Sequence, residues 1–336
     1  MLLALLGLAL TTPLRGALPR FTRDELEVLY LLWLLFAAVS GLQNKGLFAH
    51  LAARLEAGRH LGAKLVLGTF LLAALVTNDA ALLAAVPLVL ALRQNRAELA
   101  VLALVAANAG SALTPFGNPQ NLYLYWHYGL SPLALIGTML PLGLGFFFLL
   151  WFLAAKIPAP AARREVPPLS GPVLPELLAL LLLIAVVLRV LPFGASLLAL
   201  FLLLTFHPRA FRVDYGLLLT FAAFFLFVDN LEALLAARLA HPHSVFALSV
   251  LLSQGLSNVP TAILLAPLTE NWRALLWGVN VGGFGTPWAS LANLIVLRLF
   301  SPQAAPDERR RLWRHYLLAQ ALALALGSAL FFAFGA

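Results

Sequence analysis

Two short polar runs, Thr77-Asn78-Asp79 and Ser257-Asn258, interrupt apolar stretches, and two longer ones, Asn108 to Asn121 and Asn280 to Asn293, follow them along the chain. Their residue types suit reversible ion binding rather than bond making. Amide and hydroxyl oxygens can coordinate a hard cation such as Na⁺, and amide and hydroxyl donors can hold an anion. A helix that starts at such a tip offers free N–H groups and the positive end of its dipole to an anion, while a helix that ends there offers carbonyls to a cation. Na⁺ is expected near Asn78, Asn108, Asn258 and Asn280. Asp79 is the one carboxylate among these positions. Buried, it needs a proton or a cation beside it, so it is read as the carrier of the coupling ion, Na⁺ or H⁺, a role compatible with capping the helix that follows. No arginine falls at these tips or breaks, so a bound anion is expected to rest on amides, hydroxyls and dipoles.

The spacing of the runs repeats. Asn78 and Pro87 are nine residues apart, as are Asn258 and Pro267; Asn108 and Asn121 are thirteen apart, as are Asn280 and Asn293. Four landmarks in the same order indicate an internal repeat. In the first copy Asn108 is expected to end a half-helix, the stretch holding Ser111, Thr114 and Gly117 to be unwound, and Asn118 with Pro119 to cap and start the next half-helix, since proline suits a first helical turn. In the second copy Gly283, Ser290 and Asn293 belong to the corresponding stretch, with Thr286 and Pro287 expected to cap and start the helix. Unwound backbone at membrane depth survives only where protein or a water-filled cavity satisfies its polar groups.

The elements that must position these residues are membrane spans. Of 336 residues, 62% are hydrophobic and 11% charged, a balance typical of a polytopic membrane protein and not of a soluble domain. Span-like segments recur at Leu26 to Leu42, Phe146 to Ala155, Leu177 to Val190, Leu217 to Val228 and Tyr316 to Phe334,. The opening "MLLALLGLALTT" reads as a short first span rather than a cleaved leader, because it lacks a basic start and a clear cleavage site. There are no cysteines, which excludes disulfides, thiolate metal sites and thiol chemistry. The net charge of +8 falls in loops beside spans, so nucleic acid is not expected as a partner.

If 62–92 and 244–268 are hairpins that enter and leave on one face, loop charges sort themselves. Sixteen of the lysines and arginines, among them Lys45, Arg93, Arg163, Arg164, Arg212 and Arg298, share a face with the N-terminus; only Arg15, Arg20, Arg23, Arg189, Arg238 and Arg273 lie opposite. Positive residues favour the cytoplasm, which places the N-terminus there. The expected organisation is scaffold helices over 1–43 with one span fewer than the second half, a connecting arm over 44–61, and a first transport part over 62–155 (hairpin 62–92, broken helix 98–128, helix 131–155). A cytoplasmic linker over 156–172 leads to scaffold helices over 173–229, an arm over 230–243 and a second transport part over 244–336 (hairpin 244–268, broken helix 272–299, helix 312–334). Asp229, Asn230 and Glu232 are expected at the outer interface, and "YLYWHY", Tyr123 to Tyr128, is expected to form an interfacial aromatic belt. The fold class is all-α, with two repeats of inverted topology, each with a re-entrant hairpin and a discontinuous helix, which is a signature of secondary transporters.

Four stretches carry a resemblance: "TNDAALLAAVPLVLAL", "NAGSALTPFGNPQNLYLY", "LSNVPTAILLAPLT" and "NVGGFGTPWASLANLI". With them the chain resembles the ion transporter superfamily, which includes divalent anion:sodium symporters, citrate permeases, arsenite and silicon permeases and NhaD-type sodium/proton antiporters. The resemblance implies a homodimer in the inner membrane of a prokaryote, with a scaffold and a transport domain that moves as an elevator. It carries binding roles onto Thr77, Asn78, Ser257 and Asn258. The symporter branch commonly reads Ser-Asn-Thr at both tips; Asp79 and Val259 depart from it, and a Thr-Asn-Asp tip is closer to the arsenite-permease and antiporter side. The expected function is coupled transport of a small anion or oxyanion by Na⁺ or H⁺, with cation/proton antiport, metalloid-hydroxide efflux and, less favoured, an ion channel as alternatives. No P-loop and no clustered catalytic pair is present, so neither an ATP-driven pump nor an enzyme is expected, and no cofactor.

Overall fold

The computed structural model describes residues 1–55, 60–92, 94–158, 168–234 and 239–335, and every regular element among them is a helix. In chain order these are α1 (Leu2–Arg15), α2 (Arg23–Asn44), α3 (Leu47–Leu55), α4 (Leu61–Leu75), α5 (Asn78–Leu90), α6 (Arg96–Ser111), α7 (Pro119–His127) and α8 (Pro132–Ala155). The second half holds α9 (Leu174–Val187), α10 (Ser196–Phe206), α11 (Tyr215–Leu234), α12 (Pro242–Leu256), α13 (Asn258–Leu265), α14 (Trp272–Gly282), α15 (Leu291–Phe300) and α16 (Pro306–Phe334). Helices α2, α8 and α16, of 22, 24 and 29 residues, are long and apolar enough to cross a bilayer,. The chain is an all-α polytopic membrane protein. Arg59, Arg93, Arg163, Arg164 and Arg238, which enter the charge count above, lie outside the described residues, as do the side chains of Arg54 and Glu232.

Local chemistry sets the helix starts. Thr22 and Glu25 form a capping box at the head of α2,, and Ser131 accepts from the Ala134 N–H just before Pro132 opens α8,. Two helix pairs make the most extensive contacts, α6 along α4 and α14 along α12. Gly110 permits the first approach: a Cβ there would stand 2.2 Å from the Phe70 carbonyl oxygen, so the two backbones can meet only without a side chain.

Polar links hold the surrounding helices. Asn230 on α11 is fully buried and donates to the hydroxyls of Thr11 (3.1 Å) and Thr12 (2.9 Å) on α1. Arg15 pairs with Asp229 and donates to Asn230 Oδ1 at 3.1 Å. Asn230 is thus enclosed by protein and not solvated: helix α1 supplies hydroxyl partners that let an amide sit inside. The buried Glu176 at the start of α9 receives Lys45 Nζ at 2.6 Å and stands 2.9 Å from His207 Nδ1. Lys45 Nζ also donates to the Pro172 carbonyl at 2.5 Å, which binds the end of α2 to the approach to α9.

The aromatic belt is also corrected. Tyr123 and Tyr125 are buried, and Arg189, in the left-handed conformation at φ 60°, lays its guanidinium 4.8 Å from the Tyr125 ring and 5.3 Å from the Trp126 ring,. The same guanidinium donates to the carbonyls of Leu130 (3.2 Å) and Tyr125 (3.4 Å), so the rings turn inward to a cation and not outward to headgroups.

Gly110→Ala is expected to lower stability by at least about 1–3 kcal/mol, because backbone must shift to admit the methyl. Gly137→Ala in the exposed face of α8, where a Cβ meets nothing within 4 Å, is expected to be neutral or stabilising. Thermal unfolding of both variants in detergent, followed by tryptophan fluorescence, checks the difference.

Candidate functional site

Helix α4 stops at Leu75 and α5 restarts at Asn78 across a tip made by Val76 and Thr77. Thr77 is extended (φ −156°, ψ 157°) and its hydroxyl accepts from the Ala80 N–H at 3.2 Å, so it is the cap of α5,. The Asn78 side chain accepts from the Asp79 N–H at 2.9 Å. At the second tip Ser257 takes φ 78° between α12 and α13 and makes no side-chain cap. Each tip is bound to the unwound stretch of its own half: the Asn78 N–H donates to the Gly117 carbonyl (3.0 Å) and the Asn258 N–H to the Ala289 carbonyl (2.9 Å). Thr114 and Thr286 do the reverse, donating their hydroxyls to the carbonyls of Ala74 (2.9 Å) and Gln254 (2.6 Å) just before each tip.

The breaks fall where the sequence suggests, with two changes. Helix α6 runs on past Asn108 to Ser111, so the first unwound stretch is 112–118. Asn118 (φ −153°, ψ 159°) then accepts from the Asn121 N–H at 2.9 Å and Pro119 opens α7. In the second half α15 begins at Leu291 after an extended Ser290 (φ −150°, ψ 146°). Ser290, and not Thr286 with Pro287, is therefore the counterpart of Asn118. The reason is that the N–H and hydroxyl of Thr286 are both taken by Gln254, at 2.9 and 2.6 Å, which holds Thr286 and Pro287 inside the unwound stretch. Gln254 also donates to the carbonyls of Gly282 (2.9 Å) and Phe284 (3.2 Å), and Gly285, at φ 111°, leaves the room for it: a Cβ there would lie 2.1 Å from Gln254 Oε1.

Asparagines satisfy the remaining backbone. Asn121 Nδ2 donates to the carbonyls of Ala112 (3.0 Å) and Thr114 (3.1 Å) and reaches that of Ser111 (3.4 Å); Asn293 Nδ2 donates to those of Gly283 (3.1 Å) and Thr286 (2.9 Å). The halves are then cross-braced. Asn280 donates to Asn121 Oδ1 at 2.8 Å and Asn108 to Asn293 Oδ1 at 3.3 Å. Asn118 donates to Asn280 Oδ1 at 3.1 Å and to the Ser111 hydroxyl at 3.2 Å, and Asn78 to Asn108 Oδ1 at 3.4 Å.

A cavity of about 380 Å³ opens at the tips, bordered by Asn78, Asp79, Pro119, Ser257, Asn258 and Ser290 from the expected set. A second, of about 340 Å³, takes in Thr77 and Asp79. Asn108, Ser111, Thr114, Gly117, Asn118, Asn121, Asn280, Gly283, Thr286, Pro287 and Asn293 border neither cavity. Asp79 is partly buried, and its Oδ1 is shut from solvent with no hydrogen-bond partner. Among the described residues no group of three His, Cys, Asp or Glu is gathered as for a metal ion.

Several residues escaped the reading of the sequence. Gln120 and Thr220 border the first cavity; Gln120 stands inside the polar run from Asn108 to Asn121, between Pro119 and Asn121. Gln320 and Tyr316 on α16 reach Gly285, accepting from its N–H (3.1 Å) and donating to its carbonyl (2.9 Å), a contact that only the packing of α16 reveals. Arg212, in the turn before α11, and Arg298, in the last turn of α15, border the second cavity together with Asp79, although neither falls at a tip or a break.

A family model described as "Citrate transporter" matches residues 1–277. An uncharacterized transporter of Methanocaldococcus jannaschii is 37% identical over 243 residues, 68% of this chain and 67% of its own length. An inner membrane protein of Escherichia coli is 34% identical over 288 residues, 80% of this chain and 75% of its own length. A silicon efflux transporter of Oryza sativa subsp. japonica is 34% identical over 125 residues, 35% of this chain and 26% of its own length.

Asn121→Ala strands two or more backbone carbonyls and the Asn280 amide, at roughly 1–3 kcal/mol for each buried group left unmade. Its thermal unfolding midpoint is expected to fall well below that of Asn44→Ala, which removes only an exposed 3.4 Å contact with Ser40. Equal midpoints for the two variants would show that the cross-brace contributes nothing.

Proposed function

This chain belongs to the citrate transporter family, and from that premise we propose that it is a secondary active carrier of a small anion or oxyanion, coupled to Na⁺ or H⁺. The observation that carries the coupling is Asp79, a carboxylate at a helix tip with one oxygen shut away and unpartnered, between two cavities. Such a group accepts a proton or a cation as the condition of staying where it is.

The two tips divide the work in this reading. The first has its leading amides taken by Thr77 and Asn78 and carries the negative Asp79, so it is the site of the coupling ion. The second has no side-chain cap and borders the larger cavity beside Ser257, Asn258 and Gln120; with the Asn258 N–H given to the Ala289 carbonyl and none on Pro260, the Val259 N–H and these side chains at the head of α13 receive the anion. Asn108, Asn118, Asn121, Asn280 and Asn293 act on the ions through the backbone they brace. The matched bonds of Asn78 with Asn258, Thr114 with Thr286 and Asn121 with Asn293 support two repeats, which the loop charges make inverted in the membrane, with re-entrant hairpins. Inverted repeats around one site suit an elevator movement of 62–155 and 244–336 against the scaffold helices, in a homodimer with its N-terminus in the cytoplasm.

A second reading is efflux of a neutral metalloid hydroxide, favoured by the stretch of similarity to a silicon efflux transporter and by the Thr-Asn-Asp tip. Proteoliposomes separate the readings. Citrate, sulfate, phosphate, arsenite and silicic acid are offered under an imposed sodium or proton gradient, while internal pH and solute are followed. Uptake of an anion that depends on one gradient is the expected result; sodium-driven proton movement with no solute would replace the proposal with antiport. Asp79→Asn is expected to abolish gradient-driven accumulation while leaving exchange of internal for external solute intact, and unchanged accumulation would remove Asp79 from coupling.

A further inference from the structure

The two cavities adjoin: Asp79, Leu217 and Leu291 border both. The second one leads from Asp79 past the last turns of α2 and α15 to the turn that precedes α11, on the face to which the loop charges assign the cytoplasm. Its charged rim is made by Arg212, Asp214 and Arg298, all exposed. Asp214 accepts from the Leu217 N–H at 3.1 Å as the cap of α11 and keeps its negative charge, so the two guanidinium groups leave the rim with an excess of positive charge. Neither the Arg212 nor the Arg298 guanidinium has a hydrogen-bond or ion-pair partner among the described residues. This is unlike Arg15, Arg96 and Lys45, each of which is paired with a carboxylate. Two guanidinium groups left open at the mouth of a cavity with low-dielectric walls concentrate anions and repel cations. Their planar donor forks match carboxylates and oxyanions in particular.

We propose that this second cavity is the cytoplasmic loading vestibule of the carrier, and that Arg212 and Arg298 are its charge-selecting pair. They capture a small carboxylate or oxyanion at the rim, and the anion passes Asp79 and Leu217 to the tip of α13. The inference rests on the anion-transport reading above and adds to it the side of entry and the residues that choose the sign of charge. It also answers how a site built of amides and hydroxyls selects anions at all: the full charges stand at the entrance, where they attract without holding the solute at the transfer point.

The full chain contains no cysteine, so Leu217→Cys places a single thiol where the two cavities meet. The probes are two methanethiosulfonates of similar size, one carrying a sulfonate and one a trimethylammonium group. Each is applied to the cytoplasmic face in vesicles of phosphatidylcholine alone, so that no lipid charge enters the measurement. Relative to a free thiol, the sulfonate reagent is expected to react about tenfold faster than the cationic one, the lower range of electrostatic focusing in a charged cleft. Adding Arg212→Gln and Arg298→Gln is expected to erase that preference. A preference that survives the double substitution, or a thiol that reacts only from the opposite face, overturns the vestibule. The thermal midpoint of each variant, compared with that of Leu217→Cys alone, separates loss of charge from loss of fold. Failure of the transport reading looks different: wild-type proteoliposomes would move no anion while the reagent preference remained. If anions are carried, Arg298→Gln is expected to raise KM about tenfold with kcat retained, as for a lost capture step.

Discussion

The structure depends on one constraint: backbone that leaves a helix at membrane depth must still find hydrogen-bond partners. Two helices break, over 112–118 and 283–290, and each break frees carbonyls that would cost roughly 1–3 kcal/mol apiece if left bare. The chain meets this with carboxamides, which present donor and acceptor in one side chain. Asn121 and Asn293 feed their N–H groups to the broken backbone, and their oxygens accept from Asn280 and Asn108 of the opposite half. Neither break is thus stable alone. The lattice that satisfies one half is also the bolt that fixes it to the other.

That bracing narrows the chemistry available to a solute. Most of the polar residues in the breaks are consumed by the fold, and the polar side chains that border the first cavity are few: Asn78, Asp79, Gln120, Thr220, Ser257, Asn258 and Ser290. An apolar cavity with few polar groups and no cation at its centre binds weakly and releases readily, as a carrier requires. Charge must then be read elsewhere, which is why the unpaired arginines at the rim of the neighbouring cavity matter to the same problem.

Much of this was legible in the residues. The equal spacings Asn78 to Pro87 and Asn258 to Pro267, and the thirteen-residue spans between asparagines, locate both tips and both breaks, because proline and asparagine are the residues that start and cap helices wherever the chain must interrupt one. What remained hidden was partnership across long separations. Thr286 with Pro287 reads as a helix start as plausibly as Asn118 with Pro119, and only the reach of Gln254 from α12 shows that Thr286 is held unwound. Asn230 looks like an interfacial residue until Thr11 and Thr12 of α1 come against it. Arg212 and Arg298 are ordinary loop charges in the sequence, brought beside Asp79 by how α11 and α15 pack.

The frame is close to symmetric in its bonds, yet the two tips, which face the cavities, differ in their residues. Where the first tip has Thr77 and Asp79, the second has Ser257 at φ 78° and Val259. One tip is capped by its own side chains and carries a negative charge; the other has no side-chain cap, keeps the Val259 N–H unclaimed by a cap, and carries no charge. A symmetric scaffold offers two equivalent helix ends to the middle of the membrane, and ions of one sign would compete for both. Placing a carboxylate at one end and an aliphatic side chain at the other gives the two ends opposite preferences. On the proposed reading a cation or proton at Asp79 stands beside an anion at α13, each lowers the cost of burying the other, and coupling follows from that single asymmetry set into a repeated frame.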